Sequence, residues 1–508
     1  MTPAQRIIFN TIAVYTRSLI AAGLALFSSR WVLNALGQTD YGLFCLVGSL
    51  IIFVAFINNV MASSAARHFA YAIGQGNIGE VNKWFNAALS THLIIPILLV
   101  LLGWPIGELC IRRFLTIPPE RIQACVWVFR FSLVSASTGM ASAPFIAMFR
   151  AKQNIAELSI WEMLQAVLAF TIAWLLTQVS GDRLLFYAIG MVIVNIFVQA
   201  VQVCRSLFIF RECRIKYDYW FDFKRFKEIF NFASWSFIGI LGGLLRNHGS
   251  NILLNLFFGP KANASYGIAN QLSTQTGNLA TAMFAAFSPE ITASEGRGDR
   301  ARMIALSHRA SKFSTILVLL FAIPLIVEMH YILKLWLLEP PIHTALFCQL
   351  MIVTFLLDRL TAGYMSAINA YGKIAGYQAT LGTILILTLP LAWLFIKLGY
   401  PPTSVGVAFV ITMTICSYGR VLWLRHHLGV PIYKWLKVVV RPSLIVAVAS
   451  ITMAHIPRYI MPTSLLRLAL VFFFSAFTVM LVTWFFGTDA QERVFIVESW
   501  RRVTRSKK

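Results

Sequence analysis

Along this chain the apolar positions do not alternate with polar ones; they run nearly unbroken for about twenty residues at a time, with short polar stretches between them. A helix of about 20 apolar residues crosses a hydrocarbon core about 30 Å thick. Fourteen runs come up to that length, at 8–30, 42–64, 85–107, 124–147, 156–178, 184–204, 230–256, 264–286, 312–333, 345–368, 375–396, 404–422, 440–458 and 464–486. They predict an all-α, polytopic membrane protein with about 14 transmembrane helices. The missing period-2 alternation excludes a transmembrane barrel. The seventh run contains GGLLRNHGS (242–250), which puts Arg246 in mid-span. A charge there costs roughly 2.5 to 3.5 kcal/mol on insertion scales, so by default it faces a protein interior or a water-filled path.

Compared with itself, the chain shows a repeat. VLNALG (32–37) followed by YGLF (41–44) is echoed by LLNLFFG (253–259) followed by YGIA (266–269). GQGN (74–77) matches GRGD (296–299) at an offset of 222, and IAMFRAKQNI (146–155) can be laid on INAYGKIAGY (368–377) at the same offset. Gly-rich turns look alike in many membrane proteins, but three matches in order at nearly constant spacing favour a duplication. Six spans, an even number, separate the copies, so both have the same orientation. The chain then reads as an N-lobe of spans 1–6 (1–211), a basic cytoplasmic linker (212–229) and a C-lobe of spans 7–12 (230–428). Spans 13–14 (429–487) and a basic cytoplasmic tail (488–508) follow. In transporters built from parallel repeats the substrate path lies between the lobes, and rocking gives alternating access.

Helices around an aqueous path should show a polar or small-residue face. Span 7 carries Gly239, Gly242, Gly243, Arg246, Gly249 and Ser250 at helical spacing, and span 1 carries Arg17 among Asn10, Ser18, Ser28 and Ser29. Span 8, with NQLSTQTGNLAT (270–281), is the most polar. The expected substrate-binding residues are Arg17, Arg246, Asn59, Asn270, Thr274 and Asn278. The competing reading of the amides and hydroxyls is helix–helix bonding at about 0.6 kcal/mol each. It stands level with a pathway role for Asn58 and Asn59 of span 2 and for Asn195, Gln199 and Gln202 of span 6. For the two arginines the competing reading is a buried ion pair or a carbonyl-bonded structural role.

Asp358 and Glu328 are the candidate coupling residues. Asp358 either carries a proton or neutralises an arginine, and Glu328 lies close to His330, whose ordinary pKa is about 6.5. On a helix Asp358 and Arg359 point about 100° apart, so each is expected to find its partner elsewhere. Arg130, Glu157 and Glu162 lie near span ends, where long side chains reach the interface.

Composition agrees with the pattern: 58% of the 508 residues are hydrophobic and 12% are charged. Of 43 Lys and Arg, with residues at span ends counted in the adjoining connection, the N-terminus, the even-numbered connections and the tail hold 29, against 10 in the odd-numbered connections. Positive charge marks the cytoplasmic side. Both termini are therefore expected in the cytoplasm, with the protein multi-pass in the cell inner membrane. The net charge of +23 follows this sidedness, so the expected partners are anionic membrane lipids and not nucleic acid. The seven cysteines are odd in number and lie mostly in or beside spans, which argues against a disulfide framework. Cys110 and Cys125 flank one outward connection and read as small buried residues. No CxxC or HExxH occurs, and neither a metal site nor a cofactor is expected.

An opening span with a buried arginine, the stretch LNALGQTDYGLFCLV (33–47), the GQGN connection and their echo in the second half form a recognisable set. They resemble bacterial polysaccharide-biosynthesis flippases of the multidrug/oligosaccharidyl-lipid/polysaccharide exporter superfamily. The resemblance covers most of the chain. It implies a transporter and not an enzyme: a V-shaped pair of lobes that moves a polyprenyl-diphosphate-linked oligosaccharide from the inner to the outer leaflet. It further implies work alongside polysaccharide polymerase machinery, in exopolysaccharide or O-antigen synthesis. The cavity of such carriers is cationic, which Arg17 and Arg246 match. Independently, a diphosphate suits forked guanidinium donors, and sugars suit the amides and hydroxyls of span 8. A cation-coupled multidrug exporter of the same superfamily is the alternative, but it should have an acidic cavity. A membrane glycan polymerase or ligase should have a sizeable outward domain, and the longest outward connection, 108–123, is short.

Overall fold

The computed structural model describes residues 3–74, 77–220, 222, 225, 227–228, 241–372, 374–488 and 492–493. Among the described residues the regular structure is helical, without strands. The first half comprises α1 (Pro3–Gly74), α2 (Ile78–Arg113), α3 (Ile122–Ala151), α4 (Ile155–Leu175) and α5 (Arg183–Ile209). Then come α6 (Ser250–Phe258), α7 (Pro260–Gly296), α8 (Arg300–Val327), α9 (Met329–Leu337), α10 (Thr344–Arg359) and α11 (Ala362–Tyr371). The last are α12 (Ile374–Ile386), α13 (Thr388–Lys397), α14 (Ser404–Leu428), α15 (Arg441–Ile460) and α16 (Leu465–Val482).

Ten helical segments among the described residues are long and apolar enough to cross a membrane, or eleven if α10 and α11, bent by 44° at their break, make one span. The expected count of about fourteen is not reached, for three local reasons. Spans 1 and 2 form one helix, α1, broken only at Gly37. The first half of span 7 falls in 229–240, outside the described residues. Span 8 is the continuous helix α7, whose polar residues keep it below an apolar threshold.

The sequence offset of 222 recurs in the backbone. Gly37 has φ 72° and ψ 173°, and Gly259, between α6 and α7, has φ 76° and ψ −174°. That region of backbone space is essentially closed to residues with a Cβ, so each copy kinks where only glycine fits. Asn77 caps α2 by accepting a hydrogen bond from the Glu80 amide at 3.1 Å; Asp299 caps α8 by accepting from the Arg302 amide at 3.0 Å. A side-chain oxygen at the cap satisfies one of the donors a helix start leaves open.

The chain divides into two compact units, Met1–Gly267 with Trp336–Ile342, and Ile268–Leu335 with His343–Lys508. In the first, Phe69, Phe85, Phe145, Phe149 and Phe210 form an aromatic core. In the second, one core gathers Tyr364, Tyr377, Met413 and Trp435. Another joins Ile316, Leu319 and Ile323 of α8 to Val446 and Ala454 of α15 and to Val471 and Val479 of α16. Ion pairs reinforce the second unit midway along α8 and just past its end. Lys312 Nζ lies 2.6 Å from Glu492, with Arg309 at 3.5 Å from the same carboxylate, and Glu328 lies 2.6 Å from Arg467 of α16.

The start of the basic linker is a strap laid along α2. Asn82 Nδ2 donates to the carbonyls of Glu212 and Arg214 at 2.8 and 2.7 Å. One turn on, Asn86 donates to the Arg214 carbonyl at 3.0 Å and accepts from the Lys216 amide at 2.8 Å. A further turn on, the Ser90 hydroxyl donates to the Trp220 carbonyl. Residues four apart share a helix face, so one stripe of α2 satisfies the strap's backbone. Lys152, at the end of α3, pairs with Glu212 at 2.6 Å. Burial pushes the Glu212 carboxyl up, but the bonds from Lys152 and from its own backbone, with the charges of Lys152 and Arg211, together hold it below the usual range.

Candidate substrate site

Arg246 stands on a single π-helical turn, Leu245–Gly249, which leads straight into α6. Such turns insert an extra residue into a helix and re-aim its side chains. The guanidinium is half-buried, and its Nε donates to Asn247 Oδ1 at 3.2 Å. The Asn247 carbonyl accepts from the Tyr266 hydroxyl of α7 at 2.7 Å. His248 Nδ1 lies 3.3 Å from Ser49 Oγ of α1.

Beyond this turn, Asn251 and Asn255 extend the face begun by Asn247, at a spacing of four. Asn251 Nδ2 donates to Ser49 Oγ at 2.7 Å and to the Cys45 carbonyl at 3.1 Å. Asn263 of α7 donates to Asn251 Oδ1 at 2.7 Å and to its carbonyl at 2.6 Å. Asn255 Nδ2 donates to Asn263 Oδ1 and to the Thr116 carbonyl, both at 3.1 Å, and its Oδ1 accepts from the Thr116 amide at 2.9 Å. Asn255 and Asn263 are 0% exposed. Buried amides left unpaired would each cost on the order of 1 to 3 kcal/mol; linked as they are, they fix the helix that carries Arg246. This ladder was not anticipated from sequence, although Asn247, Asn251 and Asn255 at helical spacing were a signal for it.

Arg17 is in an ion pair. Its guanidinium meets the Glu162 carboxylate of α4, with 29% of each side chain exposed. Glu162 was expected to reach the interface; it instead gives Arg17 a local counter-charge. Asn270 is half-buried, and Thr274 is exposed with its hydroxyl bonded back to the Asn270 carbonyl at 2.8 Å. Both belong to the second unit, whereas Arg17 and Arg246 belong to the first. The side chains of Asn59 and Asn278 lie outside the description. Asn58 donates to the Gly139 carbonyl at 3.4 Å, and Asn195 accepts from Gln165 at 2.7 Å, which is helix–helix bonding.

The candidate coupling residues also sit in ion pairs. Asp358 lies between two guanidiniums: Oδ1 is 2.7 Å from Arg420 of α14, and Oδ2 meets Arg359. The expectation that 358 and 359 each find a partner elsewhere holds for Asp358, which meets Arg420, and is corrected for Arg359, which meets Asp358 itself. Arg359 is the last residue of α10, and its long side chain folds back over the helix end. Arg420 also donates to the Thr361 hydroxyl at 3.0 Å, bracing the break before α11. Glu328, in the break between α8 and α9, pairs with Arg467. All seven cysteines are free. No group of metal-ligating side chains occurs among the described residues.

Residues 84–338 match the family model described as polysaccharide biosynthesis protein. The uncharacterized membrane protein EpsK of Bacillus subtilis (strain 168) is 24% identical over 327 residues. That alignment takes in 61% of this chain and 61% of EpsK, so about two fifths of the relative is unmatched. Among solved structures, the lipid II flippase MurJ in an inward closed conformation superposes with a TM-score of 0.69 at 16% identity, over 94% of this chain and 98% of MurJ. An inward-facing multidrug resistance MATE family transporter of the MOP superfamily also gives 0.69, at 14% identity, over 82% and 98%. These two likenesses show a shared fold. With half of its length matched to the family model, the chain belongs to the polysaccharide biosynthesis proteins.

Proposed function

We propose that this protein flips a polyprenyl-diphosphate-linked oligosaccharide from the cytoplasmic to the outer leaflet of the cell inner membrane, by alternating access, for cell-surface polysaccharide synthesis. The observation that carries the reading is Arg246, a half-buried guanidinium in mid-span on a π-helical turn, held by an asparagine-braced helix. A diphosphate group needs positive charge and forked donors in a medium of low dielectric, and arginine supplies both. Membership of a polysaccharide biosynthesis family supports the glycan part of the substrate. Asn59, Asn270, Thr274 and Asn278 are assigned to the sugar hydroxyls in this reading. Arg17 shares its charge with Glu162.

The test measures flipping and membrane abundance together. Arg246→Ala should abolish flipping, Arg246→Lys should keep part of it as a point charge without the fork, and Arg246→Glu should be worst. Abundance should stay near wild type in all three. Normal flipping in an abundant Arg246→Ala protein would overturn the reading, and so would a collapse of abundance, which marks a structural arginine. The product changes sidedness and not glycan chain length, which separates flipping from polymerisation.

A further inference from the structure

The strap that docks on α2 turns a charged face outward. Asn82, Asn86 and Ser90 hold its backbone; Glu212 and Cys213 turn inward, and the basic side chains beside them stay on the outer face. Arg211, Arg214 and Lys216 are exposed, and among the described residues they form no ion pair. Glu212 is buried against Lys152, leaving Asp218 as the exposed carboxylate of the segment. Between and beside the cations stand Phe208 at 88% exposure, Tyr217 at 75% and Ile215 at 46%.

The order along the strap carries information. Its anchors on α2 progress from Asn82 to Ser90, a rise of about 12 Å, toward the apolar body of that helix. Over the same distance its own residues change from basic, at 211–216, to aromatic, at Tyr217, Tyr219 and Trp220. Lys83 and Lys216 each lie 5.9 Å from the centre of the Tyr219 ring, holding cations where the aromatic part begins. Basic groups above aromatic ones is the sequence of environments met on passing from lipid phosphates to the glycerol level.

We propose that the strap is a docking surface for the anionic phospholipid headgroups of the cytoplasmic leaflet, with Arg211, Arg214 and Lys216 as the phosphate-facing groups. The occupant follows from charge and from continuity: the face begins at the end of α5, where Leu207, Phe208 and Ile209 leave the membrane span. Each basic side chain near such a surface contributes roughly fivefold in affinity, and high salt should weaken the attraction.

The experiment uses the full chain with Ile215→Cys as its single cysteine, carrying a fluorophore, in nanodiscs of phosphatidylcholine. Brominated phosphatidylglycerol and brominated phosphatidylcholine are titrated as quenchers in separate arms. Quenching should favour phosphatidylglycerol, and the preference should shrink in high salt. Arg211→Gln/Arg214→Gln/Lys216→Gln should reduce it by about fivefold or more. Arg297→Gln/Arg300→Gln/Arg302→Gln removes the same charge at another turn and should leave it in place. The proposal is overturned if the strap variant keeps the preference, if the control loses as much, or if neither lipid quenches. It does not depend on what the carrier moves, so failure of the flipping test leaves it standing.

Discussion

At Glu328 the carboxylate lies 2.6 Å from the Arg467 guanidinium, with side-chain exposures of 2% and 9%. Removing one member of such a pair strands the other, at about 3 to 5 kcal/mol, whereas replacing both with apolar groups is often neutral. Glu328→Gln should therefore lower the unfolding temperature in detergent strongly, and Glu328→Leu/Arg467→Leu should recover most of the loss. Equal additive losses would show that the pair is not coupled. Asp358 faces the same logic twice over, since protonating it deprives both Arg359 and Arg420 of their shared partner. Asp358→Asn should reduce the amount of folded protein and leave the response of the proposed flipping to a pH gradient as it is in the wild type. Loss of that response at normal abundance would instead make Asp358 the proton carrier. The sequence marked both carboxylates as costly where they stand, but not their partners. Arg467 is 139 residues from Glu328 and Arg420 is 62 from Asp358, and spacing along a chain says nothing at such distances.

Elements were readable where local chemistry sets them. Two glycine kinks and two polar caps fall at the repeat offset of 222, because kinks and caps depend on one or two residues each. Gly37→Ala and Gly259→Ala should each destabilise by about 1 to 3 kcal/mol, the strain of a Cβ in that backbone region, as read by thermal unfolding. The π-helical turn under Arg246 had no such signature, since one inserted residue leaves the apolar run unchanged. The strap was equally hidden: Asn82 and Asn86 look like ordinary polar residues near a span start, and their partners are backbone atoms with no side-chain signature. Cys213 reports on it. The thiol is buried, and that burial pushes its pKa up to about 12, so it should resist maleimide at neutral pH. In a chain keeping only this cysteine, Asn86→Leu should raise its labelling rate tenfold or more, on the order of what losing about 1.4 kcal/mol of docking gives. Unchanged labelling would mean the amides do not hold the strap. Acid should loosen it as well. With its folded pKa held below the usual carboxyl value, Glu212 contributes stability at neutral pH that is lost as pH falls through the depressed value, and hydrogen exchange over 210–220 should rise there.

For the whole molecule, the charge distribution predicts sidedness. Cysteines introduced at Arg214 should resist an impermeant reagent applied from outside, and ones near Gly181 should react; the opposite pattern would invert the topology. Time enters through α8. Lys312 and Glu328 are made early, yet Glu492 and Arg467, which neutralise them, follow 180 and 139 residues later. At 5 to 20 residues per second, translation keeps Lys312 without its carboxylate for roughly 10 to 35 s. A nascent chain thus carries an unbalanced pair of charges in its second unit until its last helix arrives, and a ribosome that stops early leaves them exposed to membrane proteases. Chains ended after residue 460 should be cleared rapidly, and the same truncation bearing Lys312→Leu/Glu328→Leu should persist longer in a pulse-chase measurement. Equal lifetimes would mean that the late-arriving charges do not act as the seal on a finished chain.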